Sequence, residues 1–311
     1  MNTAPVPALL GIDWGTSNRR AWWLGPRGEV LAEVADDKGL LTVGGGFAAS
    51  LAELRATGPA TEPSTPIVMA GMVGSASGWR EVPYLDAATP LADIAHHLAP
   101  LPEAGPRAFI VPGLCFTGAD GRVDVMRGEE TQLLGAQRLG HGDGWFVLPG
   151  THSKWVHVQG GRVVDLATYM TGELFSLLTQ HGTLASVTRG AVTEAASTQT
   201  REVSAAAFSE GVAAAARSGL SNALFGCRAQ VVAGRMPAAQ AREHLSGLLI
   251  GAEWHDVARR AGRVPDRITL IGSTQLEDRY AAVGGAFGCT VTALDARAVQ
   301  LAAWQALQAS I

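Results

Sequence analysis

Apolar runs separated by glycine turns occur twice in the chain, roughly half a chain apart. The first set is LLGID, RRAWWL and EVLAEV, at residues 9–13, 19–24 and 29–34, and the second is WFVLP, KWVHV and RVVDLATY, at residues 145–149, 154–158 and 162–169. Short runs rich in aromatic and branched residues between glycine or proline turns predict antiparallel strands. Each set therefore predicts a three-stranded meander, and the repetition predicts two related domains that face one another.

Strands and helices are both predicted in the rest of the chain. PIVMAG (66–71) and AFIVPGL (108–114) are predicted strands, and EETQLLGAQRL (129–139) has apolar residues at helical spacing. Residues 203–260 are alanine-rich and predict helices. A strand–helix–strand pattern follows, and then a terminal helix with Asp295 as its predicted N-cap. The predicted fold class is α/β.

The segment GADGR interrupts the apolar pattern near residues 115–126, where we expect the first domain to end. The predicted domains are residues 1–120 and 121–294, and the terminal helix, residues 295–311, is expected to return to the first domain. A chain of 311 residues is long enough for two domains with their own cores.

Composition narrows the classes of partner. Hydrophobic residues make up 47% of the chain and charged residues 17%, which indicates a globular protein rather than a disordered one. The net charge is −4 and no run of basic residues occurs, which argues against nucleic acid and membrane partners but not against a small anionic ligand. No apolar stretch of about 18 residues occurs, so a cytoplasmic protein is expected.

The first meander contains a candidate site for a metal-bound nucleotide. A strand ends at Asp13, and the turn that follows exposes the backbone N–H groups of Gly15, Thr16 and Ser17. Such a turn can cradle phosphate oxygens, while the carboxylate holds Mg²⁺ through water. Taken alone, the stretch is better explained as a hairpin turn whose aspartate caps its own backbone.

The second meander contains PGTHSKW, which is neither a P-loop nor a nucleophile motif. Its order is Ser-Lys rather than Gly-Lys, and no G-x-S-x-G surrounds the serine. Two alternatives are left, a second phosphate turn and a solvated hairpin tip. Two Gly-Thr turns on two matched meanders favour a two-sided clamp for a polyphosphate, with donors and a countercharge from Gly150, Thr151, His152, Ser153 and Lys154.

Three further segments are weaker candidates. Glu129 and Glu130 open a predicted helix, where they complement the helix dipole or, alternatively, accept a proton from an attacking hydroxyl. Gly272-Ser273 follows a strand and can receive adenine or ribose, although a lone glycine turn is weak support. The loop AGMVGSASGWREVPY can cover a polar small molecule or be a mobile surface loop.

Taken together, GIDWGTSNRRAW, AGMVGSASGW, MRGEETQLLGA, LPGTHSKW and TYMTGELFSLL resemble the 2-dehydro-3-deoxygalactonokinase family, from about residue 8 to residue 305. The resemblance implies the actin/hexokinase/heat-shock ATPase superfamily, with two RNase H-like domains around a nucleotide-binding cleft. It also implies ATP, Mg²⁺ and transfer of the γ-phosphoryl group to the terminal hydroxyl of 2-dehydro-3-deoxy-D-galactonate in galactonate breakdown.

The resemblance also implies roles for residues. The superfamily's two phosphate motifs map onto residues 13–17 and 150–154, and its adenosine motif maps onto residues 271–273. Many sugar kinases of the superfamily place a catalytic aspartate where this chain has Glu129 and Glu130, of which we favour Glu129, with Asp124 as the next choice. The expected ligands of the sugar acid are Gly74, Ser75, Trp79, Arg80 and Arg127.

Four alternatives to this function stay open at this point. They are a kinase for the gluconate epimer, an actin-like ATPase without a sugar acceptor, a hydrolase that uses Ser153 and His152, and a sugar sensor without catalysis. The expected partner is a small sugar acid, and a second copy of the chain is an option left open.

Overall fold

The structure is a computed structural model that describes residues 6–189 and 201–311. Backbone contacts divide the chain into two compact units. Unit 1 comprises Met1–Gly144, Val156–Leu166 and Leu294–Ile311, and unit 2 comprises Trp145–Trp155 and Ala167–Ala293. The predicted domains, with limits at residues 120 and 294, stay a prediction.

The elements follow the chain in this order. The first part contains β1 (Leu9–Trp14), β2 (Arg19–Leu24), β3 (Val30–Asp36), α1 (Leu40–Val43), α2 (Phe47–Thr57), β4 (Ile67–Gly71), β5 (Leu85–Asp86), β6 (Ala99–Pro100), β7 (Ala108–Ile110), β8 (Leu114–Thr117), β9 (Val123–Met126) and α3 (Glu129–Arg138). The second part contains β10 (Gly144–Leu148), β11 (Ser153–Gln159), β12 (Arg162–Tyr169), α4 (Thr171–Gln180), α5 (Gly182–Thr188), α6 (Arg201–Arg217), α7 (Leu220–Val232), α8 (Ala238–Ala261), β13 (Arg267–Gly272), α9 (Thr274–Ala286), β14 (Thr290–Asp295) and α10 (Ala296–Gln308).

The two larger sheets share one strand order. One sheet runs β3-β2-β1-β4-β7-β6, and the other runs β12-β11-β10-β13-β14, so each places its third, second, first and fourth strands side by side. In the first sheet β1 pairs antiparallel with β2 and parallel with β4, and β2 pairs antiparallel with β3. The predicted first meander and the predicted repetition are confirmed, and the fold class is α/β.

Helices cover both faces of the first sheet, and adjacent tryptophans of β2 point to opposite faces and contact them. Trp23 packs in a cluster with Phe47 and Leu51 of α2, and the ring of Trp22 lies 6.3 Å from the ring of Trp304 in α10. A Cβ atom at Gly11 of β1 would lie 2.6 Å from Trp304. Glycine therefore lets α10 lie directly on the sheet.

Unit 2 has its own core between its sheet and its helices. Trp155 of β11 and Trp254 of α8 are buried, with ring centroids 4.9 Å apart at 87°. Helices α6 and α8 approach closely, since a Cβ atom at Gly211 would lie 2.0 Å from the His244 carbonyl oxygen. Such contacts require glycine wherever one backbone meets another.

One local prediction needs correction, and the interruption of the apolar pattern has a structural cause. The interruption near residues 115–126 is the turn of an antiparallel hairpin, β8–β9, inside unit 1. The predicted single strand at 108–114 is two strands, because Pro112 lacks a ladder donor and Gly113 lies against the Met126 carbonyl oxygen. The N-cap prediction is confirmed, since the Asp295 carboxylate accepts a hydrogen bond from Ala298 N–H.

Within residues 6–189 and 201–311, none of the helices combines the length and the apolar composition that crossing a membrane requires.

Candidate active site

Turn 1, residues 15–18, joins β1 to β2 and is held by the backbone. Gly15 N–H donates to the Asn18 carbonyl oxygen at 2.9 Å. The carbonyl oxygens of Gly15, Thr16 and Ser17 accept from the amides of residues 39–41 at 3.0–3.2 Å. With its carbonyls bound on one side, the turn leaves Thr16 and Ser17 exposed on the other. This arrangement suits backbone donation to an anion.

Asp13 lies at the end of β1, half-buried, beside a second carboxylate. Burial raises the pKa of Asp13 to about 6, while Arg20 lowers this pKa and Glu129 raises it. The end of β4 also lies close, since a Cβ atom at Gly71 (φ +88°) would be 3.4 Å from Asp13 Oδ1. The fold thus places Asp13 and Glu129 close enough for their charges to interact.

A divalent cation fits this pair of carboxylates. Burial and the nearby charge of Glu129 both disfavour ionisation of Asp13, and a bound cation would reverse that effect. Mg²⁺ typically takes one or two protein carboxylates together with substrate phosphates. Among the described residues no group of three or more His, Cys, Asp or Glu could hold a metal ion, so a metal here would depend on the nucleotide.

Glu129 and Glu130 differ in their surroundings although they are neighbours at the start of α3. Glu129 is half-buried, and its Oε2 accepts from Arg127 N–H at 3.1 Å. Glu130 is fully buried; its Oε2 accepts from Gly128 N–H at 2.6 Å, and its Oε1 has no hydrogen-bond partner. Burial, followed by the charge of Glu129, raises the pKa of Glu130 to about 8.

Arg127 follows β9 just before these glutamates, and part of its guanidinium is unpaired. Its Nη2 donates to the Val82 carbonyl oxygen at 2.6 Å, and its guanidinium lies 4.3 Å from the ring centroid of Tyr84. Nε and Nη1 are buried and have no hydrogen-bond partner. A Cβ atom at Gly74 would lie 2.8 Å from Nη1, so glycine keeps that space clear. Two buried donors without an acceptor indicate a place for an anionic group.

The other predicted sugar-acid ligands have partners within unit 1. The Ser75 hydroxyl donates to the Met72 carbonyl oxygen at 2.8 Å. Trp79 is partly buried, stacks on Phe47 at 5.9 Å and packs against the hydrophobic core. Arg80 forms an exposed ion pair with Glu103 and donates to the Pro100 carbonyl oxygen. Local composition could not separate these residues from Arg127.

Turn 2, residues 149–152, joins β10 to β11 and is held by the start of α4. Glu173 N–H donates to the Thr151 carbonyl oxygen at 2.9 Å. A Cβ atom at Gly172 would lie 2.3 Å from the Gly150 carbonyl oxygen, so the helix and the turn are in direct contact. Thr151 and His152 are exposed, and His152 Nε2 lies 2.6 Å from Glu173 Oε2. A carboxylate therefore orients the histidine.

Ser153, the first residue of β11, is buried, whereas His152 before it is exposed. The Ser153 hydroxyl is buried, donates to Glu253 Oε2 at 3.0 Å and lies 2.9 Å from the Tyr280 hydroxyl. The Ser153 hydroxyl therefore has partners inside unit 2, and its role as a phosphate donor stays a prediction. This arrangement removes the hydrolase alternative, because the side chains of His152 and Ser153 have different partners. Lys154 is buried as well.

A pocket of about 230 Å³ lies beside turn 2, within unit 2. The predicted adenosine residues are adjacent to it: Gly272 packs against Pro149, and Ser273 is the N-cap of α9, whose first turns line the pocket. Arg242 and Phe175 also line it, with the guanidinium 4.7 Å from the ring centroid. The sequence reasoning missed these two residues, because α4 and α8 showed only a general helical pattern.

Comparison with known proteins agrees with this geometry. The family model for 2-keto-3-deoxy-galactonokinase matches residues 13–307. The 2-dehydro-3-deoxygalactonokinase of Escherichia coli (strain K12) is 39% identical over 289 residues, which cover 92% of each chain. The probable 2-dehydro-3-deoxygalactonokinase of Rhizobium meliloti (strain 1021) is 36% identical over 92% of this chain and 91% of its own.

A crystal structure of a candidate 2-dehydro-3-deoxygalactonokinase from Sinorhizobium meliloti superimposes with a TM-score of 0.85 at 35% identity. The match covers 97% of this chain and 96% of that one. The two chains therefore share one fold. The chain belongs to the 2-keto-3-deoxy-galactonokinase family and is a kinase of carbohydrate metabolism.

Proposed function

We propose that this protein transfers the γ-phosphoryl group of Mg·ATP to the terminal hydroxyl of 2-dehydro-3-deoxy-D-galactonate. The product is 2-dehydro-3-deoxy-6-phospho-D-galactonate, an intermediate of galactonate breakdown. The observation that carries the proposal is the pair of buried, unpartnered N–H donors of Arg127, two residues before Glu129. The sugar acid has a carboxylate at one end and the reacting hydroxyl at the other. These two ends match the cation of Arg127 and the carboxylate of Glu129.

Arg127 binds the carboxylate of the sugar acid through Nε and Nη1, and Glu129 accepts the proton of the terminal hydroxyl. The hydroxyl oxygen bonds to the γ-phosphorus as the bond to the bridging oxygen breaks, and ADP leaves. Turns 1 and 2 donate to phosphate oxygens through their backbones, with Lys154 as countercharge. Asp13 would hold Mg²⁺, which would neutralise charge on the phosphate oxygens.

Three finer expectations belong to this proposal. The pocket beside turn 2 receives the adenosine, with Gly272 and Ser273 next to it. A cytoplasmic location is part of this proposal. The partner is a small sugar acid, and a second copy of the chain stays a prediction that sedimentation analysis tests.

The first experiment measures ADP release from Mg·ATP with the galactonate compound, with its gluconate epimer and without a sugar. Turnover with the galactonate compound well above the other two is expected. Faster turnover with the epimer assigns the protein to the other substrate, and equal ADP release in all three identifies an ATPase, so either result overturns the proposal.

A variant of Arg127 tests the binding role. Hydrogen bonds to a charged group contribute about 1.5–3 kcal/mol, which corresponds to about a 10- to 100-fold increase in KM. We expect that increase for the sugar acid in Arg127→Met, with KM for ATP unchanged, and a smaller increase in Arg127→Lys. Arg80→Met is the matched control, because Arg80 bonds Glu103 at the surface. Equal effects at both positions would contradict the assignment.

A further inference from the structure

A buried carboxylate in unit 2 gathers donors from three elements around the candidate nucleotide pocket. Glu253 of α8 is 1% exposed. Its oxygens accept from Ser153 Oγ at 3.0 Å, Trp155 Nε1 at 2.9 Å and Tyr280 Oη at 2.8–2.9 Å, and also from Thr171 Oγ1. The four donors come from β11, α4 and α9.

Burial of the Glu253 carboxylate is unfavourable unless its hydrogen-bond donors are held in one arrangement. An ionised carboxylate away from water is strongly unfavourable unless hydrogen bonds replace its hydration. Burial raises the pKa of Glu253, and the four side-chain donors lower it again. Removing the acceptor would leave the Trp155 N–H without a partner, since it can only donate. The network therefore holds its members in fixed positions.

The members of the network are the parts that shape the site. Ser153 follows turn 2 directly, and Thr171 begins α4, whose next residue, Gly172, touches the Gly150 carbonyl oxygen. Thr171 and Tyr280 both line the 230 Å³ pocket, on α4 and α9 respectively. Glu253 does not line that pocket, so its influence on a nucleotide passes through the groups it holds.

We propose that Glu253 is a positioning residue for nucleotide binding. It sets the distance between α4 and α9 and the orientation of turn 2 by accepting hydrogen bonds from all three elements. This inference rests on the proposed function for the identity of the ligand, an adenine nucleotide, but not for the identity of the sugar acid.

The test is the Kd for a non-hydrolysable ATP analogue with Mg²⁺, measured by titration calorimetry without sugar. Glu253→Ala should raise this Kd at least tenfold. Glu253→Gln should restore it to within about threefold, because its amide oxygen keeps the Trp155 bond while the Thr171 hydroxyl can turn and accept from its NH₂. The matched control is Asp256→Asn, three residues further along α8. Asp256 binds Tyr169 and Arg259 and lies outside the pocket, so this variant should leave the Kd unchanged.

A merely structural role gives a different result. In that case Glu253→Ala lowers Tm while the Kd of the folded protein stays the same, and the inference is overturned. If Glu253→Ala does not fold, Trp155→Phe decides instead, because it removes one donor from Glu253 without altering the pocket lining. An increased Kd supports the inference, and an unchanged Kd overturns it.

Failure of the proposed function looks different again. A wild-type protein that binds no nucleotide overturns both ideas. Nucleotide binding that responds to Glu253 without phosphorylation of any sugar acid overturns the proposed function alone.

Discussion

Replacing Glu130 with glutamine tests which of two adjacent glutamates can act as the base. The Glu130 carboxyl is fully buried, and one of its oxygens accepts from Gly128 N–H. Its pKa rises from 4.5 to about 8, first because of burial and then because of the charge of Glu129. At ~1.4 kcal/mol per pKa unit, ionising Glu130 costs about 5 kcal/mol more in the folded protein than in the unfolded chain.

The sign of the pH dependence follows from proton binding. Between pH 4.5 and 8 the folded protein keeps a proton on Glu130 that the unfolded chain releases. The free energy of unfolding therefore decreases as pH rises through this window, by up to ~1.4 kcal/mol per pH unit. In Glu130→Gln the amide oxygen keeps the Gly128 bond, and nothing titrates at this position.

The assay is urea unfolding of both proteins at a series of pH values from 5 to 7.5. The difference in unfolding free energy, wild type minus Glu130→Gln, should fall by about 3 kcal/mol across that range. Asp13, whose pKa is also raised, titrates in both proteins and largely cancels. Glu62→Gln, at an exposed position, is the control and should keep the wild-type slope.

A kinetic measurement connects this result to function. A carboxyl that stays protonated at pH 7 cannot accept a proton, so Glu130→Gln should keep kcat within a few-fold, whereas Glu129→Gln should lose about 10²–10⁴-fold. If Glu130→Gln shows the wild-type pH slope, Glu130 is ionised in the folded protein. The reasoning that reserves the base role for Glu129 would then be refuted.

Two glycine substitutions test close backbone contacts. In Gly172→Ala the new Cβ meets the Gly150 carbonyl oxygen at 2.3 Å, so turn 2 must shift. KM for ATP should rise while KM for the sugar acid stays constant. A KM for ATP equal to that of the wild type would contradict the contact. In Gly135→Ala the new Cβ meets the Val299 carbonyl oxygen at 1.9 Å, which forces α3 and α10 apart. Overpacking of this kind typically costs about 1–3 kcal/mol, and an unchanged urea midpoint would count against the packing.

The sequence by itself determined the elements whose information is local. Short apolar runs bounded by glycine or proline turns specified both meanders, because strand propensity and turn geometry depend on neighbouring residues. The same holds for the helix that begins at Glu129 and for the Asp295 N-cap. Resemblance over most of the chain indicated the family, since several short motifs occurred together.

Only the tertiary structure decided which side chains are free to act. Alternation along β11 places neighbouring side chains such as Ser153 and Lys154 on opposite faces, but does not say which faces are buried. Packing of α8 against β11 buried Ser153 and brought Glu253 to it, although the two residues lie 100 positions apart. Arg80 and Arg127 looked equivalent as loop cations. In the structure Arg80 is paired with Glu103, whereas two buried N–H groups of Arg127 have no acceptor.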